Sequence, residues 1–162
     1  MRIFKIVNTI LNLSFQKKQL ISPLRLQALL YFSQGWYLSL YNRPLFSDNI
    51  LIGEREPFVR DVYMRLKHIG AHLILDPVYY YNEKEDAYFC DPIPEEEHDA
   101  IDTIRTVWDI FANYKDKELH SLLTEANSPW SQLKDSNPLL TAIRSEKIKD
   151  HVLQFVYTVN QG

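Results

Sequence analysis

The stretch Ser22 to Leu40, SPLRLQALLYFSQGWYLSL, constrains this chain more than any other. Ser22 is placed to accept from the free backbone N–H groups of a first helical turn, and Pro23 stands where a missing N–H costs nothing. Beyond them Leu24, Leu26, Leu29, Leu30, Tyr31, Phe32, Trp36, Tyr37, Leu38 and Leu40 cover nearly the whole circumference of a helix. A helix apolar on all sides belongs inside a bundle. The expected fold is therefore mainly α, a compact helical bundle around a buried central helix, with one small β-hairpin or short sheet.

The few polar residues of that helix are its most informative ones. Gln27 and Gln34 are two turns apart and share a face. Each amide needs partners, because an unpaired buried polar group costs about 1 to 3 kcal/mol. Two readings stand at this point. The glutamines bond neighbouring backbone and fix how the bundle packs, or they line a groove and bond a partner.

At 162 residues the chain reads as a single domain, 1–162, long enough to bury about two thirds of its unfolded surface. Its 46% of hydrophobic residues and only four glycines are those of a globular chain. Ten tyrosines supply large area with few rotors, which suits cores and interfaces alike. The one cysteine, Cys90, excludes an internal disulfide and argues against a cysteine-rich zinc site. No apolar run approaches the ~20 residues needed to span a bilayer, and the start lacks a secretory pattern, so the expected location is cytoplasmic.

Charge is unevenly distributed. Residues 1–72 carry ten Lys/Arg against four Asp/Glu, a balance of +6, whereas residues 73–102 carry one against ten, a balance of −9. A nucleic-acid binder usually shows a basic surface with no such acidic block beside it. Either the two regions face solvent or each other within the fold, or the acidic middle steers a basic protein partner in a salt-sensitive way. Arg25, Arg43, Arg55, Arg60, Arg65 and Lys67 are the candidates for a basic patch, but no helix-turn-helix pattern accompanies them and no nucleic-acid partner is expected.

Helical spacing of Ile3, Ile6, Val7, Ile10 and Leu11 predicts an amphipathic helix over residues 2–13. Leu45-Phe46 and Ile50-Leu51-Ile52 read as short extended pieces around Ser47 to Asn49. Glu56-Pro57 reads as a second helix start, with Phe58, Val62, Tyr63, Leu66 and Ile69 as its stripe and Gly70 as its end. Val78 to Tyr81 and Ala87 to Cys90 bracket a charged turn and predict a hairpin. Glu95 to Glu97 read as the first turn of a helix carrying Ile101, Ile104, Val107, Trp108 and Phe111, where carboxylates favour the positive end of the backbone dipole. Leu119, Leu122, Leu123 and Ala126 define a shorter helix, Asn137-Pro138 begins a turn, and Ile148, Val152, Phe155, Val156 and Val159 predict a closing helix.

The sequence offers little to catalysis. It contains no G-x-S-x-G, no phosphate-binding loop and no dinucleotide fingerprint. Cys90 has no local histidine. His68 and His72 have the spacing of a helical ligand pair, but Gly70 between them ends the helix and no third ligand is near, so no metal site is expected. His98, His120 and His151 read as surface residues in charged or mixed surroundings. The chain is accordingly expected not to be an enzyme, with no catalytic residues and no cofactors.

Leu24-Arg25-Leu26-Gln27-Ala28-Leu29-Leu30-Tyr31-Phe32-Ser33-Gln34-Gly35-Trp36-Tyr37-Leu38 resembles the LKLQKLLYFAQGWYL-type segment of the Panacea domain, the SocA-like antitoxin family of bacteria and phages. Arg43-Pro44-Leu45-Phe46, Pro57 with Val59 and Val62-Tyr63, and Ser128-Pro129-Trp130 resemble further motifs of that family, and the resemblance extends from the first helix to the last. Where the family has Trp-x-Tyr-Gly-Pro, this chain has Gly53-Glu54-Arg55-Glu56-Pro57. The His and Glu of its T-H-x-E-x-P-W element fall at Glu125 and Asn127. The resemblance implies an antitoxin that binds and neutralises a cognate protein toxin, with Gln27, Tyr31, Gln34, Trp36, Pro57 and Trp130 as the partner-binding candidates. The alternatives are a proteolytic adaptor that delivers a toxin or host protein to a protease, a phage or mobile-element accessory protein, and a small enzyme on a diverged scaffold.

Overall fold

A computed structural model describes residues 2–161, with side chains described through Val156. Ser22 caps the central helix α2 (Pro23–Tyr41) as its sequence predicts: its Oγ accepts from the Arg25 N–H at 3.1 Å, with Pro23 in the first turn. The helix ends where Asn42 turns left-handed at φ 52° and returns its N–H to the Leu38 carbonyl. Every residue from Arg25 to Leu38 is buried. That continuous burial is the expected consequence of an apolar circumference.

Around α2 stand α1 (Arg2–Gln16), α4 (His98–Phe111), α5 (Asp116–Thr124) and α7 (Ser145–Gln161), with the short α3 (Arg60–Leu66) and α6 (Pro129–Leu133) at the sides. The α1 stripe of Ile3, Ile6, Val7, Ile10 and Leu11 is fully inside, and so are Ile104, Val107, Trp108 and Phe111 of α4. Phe32 of α2 stacks on Phe111 with ring centroids 4.3 Å apart, and Phe155 of α7 meets both rings edge-on. Val159 of the expected α7 stripe lies outside the described side chains. Among the described residues no helix is long and apolar enough to cross a membrane.

Two small antiparallel sheets complete the fold, where a single β element was expected. One pairs β1 (Ile50–Leu51) with β2 (Phe58–Val59); the other is the predicted hairpin, β3 (Tyr80–Asn82) with β4 (Ala87–Phe89). Of the two extended pieces expected from the sequence, Ile50 and Leu51 form β1, while Leu45 and Phe46 form no strand. Their backbone bonds the Gln34 side chain instead, and β1 finds β2. The second helix does not begin at Pro57 either. Gln27 holds Val59 extended, at φ −95° and ψ 118°, so α3 starts at Arg60. Glu95 and Glu96 precede α4 in a turn closed by the Glu97 N–H on the Pro94 carbonyl, and the acidic residue of the first helical turn is Asp99.

The crossing of α2 and α7 depends on Gly35. A methyl group there would lie 2.4 and 2.6 Å from the Val152 side chain and 3.2 Å from the Ile148 carbonyl. Gly35→Ala is therefore expected to force the helices apart at a cost of about 1 to 3 kcal/mol. A denaturant melt checks it, and adding Val152→Ala should restore part of the loss because the two side chains compete for one space.

Candidate functional site

The polar residues of α2 face backbone. Gln27 accepts from the Val59 N–H at 2.9 Å and donates to its carbonyl at 3.1 Å. Gln34 accepts from the Leu45 N–H at 2.8 Å and the Phe46 N–H at 3.2 Å, and donates to the Phe46 carbonyl at 2.8 Å. Both glutamines are buried, so of the two readings open from sequence the geometry is that of bonding to the chain's own backbone. On α1, Asn8 makes the same bidentate contact with Val78, which sequence reading missed. In each case an amide side chain supplies the donor and acceptor that a neighbouring strand would otherwise supply. Among the described residues Ser33 Oγ is the one buried side-chain polar atom without a hydrogen-bond partner.

Tyr31 leads to a buried polar chain. Its hydroxyl is 2.7 Å from His151 Nδ1, and His151 Nε2 is 3.0 Å from Glu125 Oε1. A neutral imidazole satisfies both contacts by accepting from Tyr31 at Nδ1 and donating to Glu125 at Nε2. Burial, aided by the Glu125 charge, pushes the Tyr31 hydroxyl well above its ordinary value, so it keeps its proton. Burial also pulls His151 below the ordinary histidine value, against the opposing pull of Glu125. His151 is thus an interior residue, not the surface one expected from its flanks. Lys149 and Asp150 beside it made the sequence look solvated, while its partners come from 120 and 26 residues away.

Two of the remaining candidates, Pro57 and Trp130, meet around residues 53–59. Trp130 is half-buried and donates from Nε1 to the Gly53 carbonyl at 3.2 Å, on an α6 that Ser128 caps as Ser22 caps α2. Pro57 is buried between Gly53 and the Val59 held by Gln27. Trp36 is buried in the core. The fold thus gathers Gln27, Pro57 and Trp130 on one loop, sends Gln34 to residues 45–46, and turns Tyr31 to α7.

Arg25 is not part of a basic surface. Its guanidinium is buried, donates to the Phe111, Ala112 and Tyr114 carbonyls at the end of α4, and pairs with Asp116 at 3.0 Å. A cation there neutralises the negative end of the α4 dipole. Among the described residues no group of three or more His, Cys, Asp or Glu side chains gathers as a metal site would require; His68 lies within the 3₁₀ turn Lys67–Ile69 that follows α3, while His72 lies beyond Gly70.

Two outcomes follow from these contacts. Gln34→Met keeps the volume but leaves two N–H groups and a carbonyl without partners, so it should cost about 2 to 4 kcal/mol. Hydrogen exchange at Leu45 and Phe46 should rise with it. For His151 the folded chain refuses a proton that the unfolded chain accepts, so its contribution to stability is complete above the unfolded value of 6.5 and is lost as pH falls toward the lower folded value. Between about pH 7 and about pH 5 the Tm of the parent should therefore fall more steeply than that of His151→Gln.

The family described as Antitoxin SocA-like, Panacea domain matches residues 26–131. The match runs from the first turn of α2 into α6, which is narrower than the resemblance read along the sequence, since α1 and α7 lie outside it. No curated protein and no solved structure matches the chain. With its glutamine-marked central helix, its Pro57 loop and its Ser128-Pro129-Trp130 element inside the matched region, the chain belongs to the SocA-like antitoxin family, the Panacea domain family.

Proposed function

We propose that this chain is an antitoxin that binds a cognate protein toxin directly and blocks it without catalysis. The family match over residues 26–131 carries the reading. The internal contacts of the site support it, because Gln27, Gln34, Tyr31 and Trp130 are each engaged by the chain's own groups. On this reading Gln27, Gln34, Pro57 and Trp130 serve the partner indirectly, by holding residues 45–46 and 53–59 in one conformation, and Tyr31 and Trp36 by holding the helices that carry them. A surface fixed before binding loses less conformational freedom when the partner arrives. Residues 1–162 act as one unit in this proposal, in the cytoplasm, with no cofactor.

The test is growth rescue. The partner to use is the product of the neighbouring reading frame, expressed alone and then with this chain. Arrest that is relieved by co-expression at an unchanged toxin level supports sequestration. Relief only in the presence of a protease, with falling toxin level, would replace sequestration by delivery, and no relief would overturn the reading. Trp36→Ala should cost about 3 to 5 kcal/mol and lose melting temperature and rescue together, because a buried indole holds the scaffold rather than touching the toxin.

A further inference from the structure

The hairpin presents a face that the helices leave uncovered. Asn8 fixes Val78 inward, and strand alternation then puts Tyr80 against Phe4 and turns Tyr79 and Tyr81 outward. Tyr81 pairs across the sheet with Tyr88, ring centroids 5.3 Å apart. Tyr79, Tyr81 and Tyr88 are 54%, 42% and 68% exposed. Three tyrosines on the outer side of a two-stranded sheet do nothing for the core.

This face continues into an open groove of about 300 Å³ between the end of α3 and the chain leading to the hairpin. Leu66, Ile69, Leu73, Leu75 and Val78 line it, and Tyr79 belongs to both groove and face. Leu73 and Leu75 are 49% and 66% exposed. Arg65 and His68 stand on one wall, and the Arg65 guanidinium is already engaged by the Tyr79 carbonyl and the Phe4 ring.

Charge identifies the occupant. Residues 73–102, which include the hairpin and one wall of the groove, hold ten Asp/Glu and one Lys. Glu97, Asp91 and Asp99 are offset by Arg2, Lys5 and Arg43. Glu83, Glu85, Glu95 and Glu96 form no ion pair among the described residues and are exposed. Tyrosine faces beside free carboxylates suit guanidinium groups, which stack on the rings and pair with the acids. A nucleic acid would be repelled from the same surface.

Resting on the antitoxin reading, we propose that the outer hairpin face and its groove are the toxin-docking surface, and that the segment received there is basic and apolar, carrying arginines against Tyr79, Tyr81 and Tyr88 and aliphatic side chains in the groove. The probe is a short fluorescein-labelled peptide alternating arginine and leucine, with a glutamate-for-arginine peptide as control, read by fluorescence polarisation. The arginine peptide should bind, and its Kd should rise about tenfold or more between about 0.05 and 0.5 M salt. Tyr81→Ser with Tyr88→Ser, and separately Glu83→Lys with Glu85→Lys, should each weaken it about tenfold or more while the melt stays unchanged, since all four positions are exposed. Equal binding of the glutamate peptide, no binding of the arginine peptide, or variants that bind like the parent would overturn the proposal. So would a parent that sediments as a dimer and becomes monomeric in the tyrosine variants, because the occupant would then be a second copy. In the growth assay, rescue by the parent and equally by both hairpin variants would remove this surface and leave the antitoxin reading standing. Failure of the parent itself would remove that reading, and the peptide would still decide the surface.

Discussion

Bidentate side-chain amides hold this structure in register. A helical bundle satisfies the backbone of its helices internally, but its extended links must find donors and acceptors elsewhere or face water. Asn8, Gln27 and Gln34 solve that problem at Val78, Val59 and residues 45–46, each by offering an N–H and a C=O from a buried helix position. One such bond has a modest net value of about 1 kcal/mol, but leaving its buried partner empty costs more. Placement is the larger consequence. Val59 held extended determines where α3 begins, and Val78 held inward determines which tyrosines of the hairpin face out.

The electrostatic layout follows from the same geometry. Clamping the hairpin base to α1 brings the acidic segment beside the basic start of the chain, and Arg2, Lys5 and Arg43 answer Glu97, Asp91 and Asp99. These pairs stand in solvent, which screens them, so they do little for stability. Their effect is to divide the acidic block. Carboxylates near the helices are neutralised, while those at the hairpin turn and before α4 keep an outward field. Buried Arg25 belongs to a different task, closing the end of α4 against the start of α2.

What sequence reading could reach divides along the range of the interactions involved. The α2 cap, its apolar circumference, the α1 and α4 stripes and the hairpin are encoded within a few residues of where they act, and all were legible. The start of α3 was not, because Pro57 looks like a helix opening until Gln27, 32 residues before Val59, holds Val59 in the extended region. His151 was misplaced for the same reason, since its immediate neighbours are charged and its partners are remote. The fourteen-residue buried run of α2 announced that its amides must be satisfied, but not by which segments.

The departures from the family motif at residues 53–57 are consistent with the turn formed here. Gly53 adopts φ 63°, and any Cβ would sit 2.2 Å from the Glu56 carbonyl oxygen, so the tryptophan found at this place in the family motif has no room in this conformation. The loop is tied down from outside instead. Trp130 donates to the Gly53 carbonyl, the Gly53 N–H reaches the Pro138 carbonyl, and His120 contacts the Arg55 carbonyl and Glu56. Glu125, where the motif has histidine, accepts from His151 and so joins the matched region to α7 outside it. The polar contacts of the loop thus come from α5, α6 and the segment before α7, and the clamp on Val59 next to it comes from α2. The conformation of the loop is therefore set by segments remote from it in sequence, and the central helix supplies one of those holds.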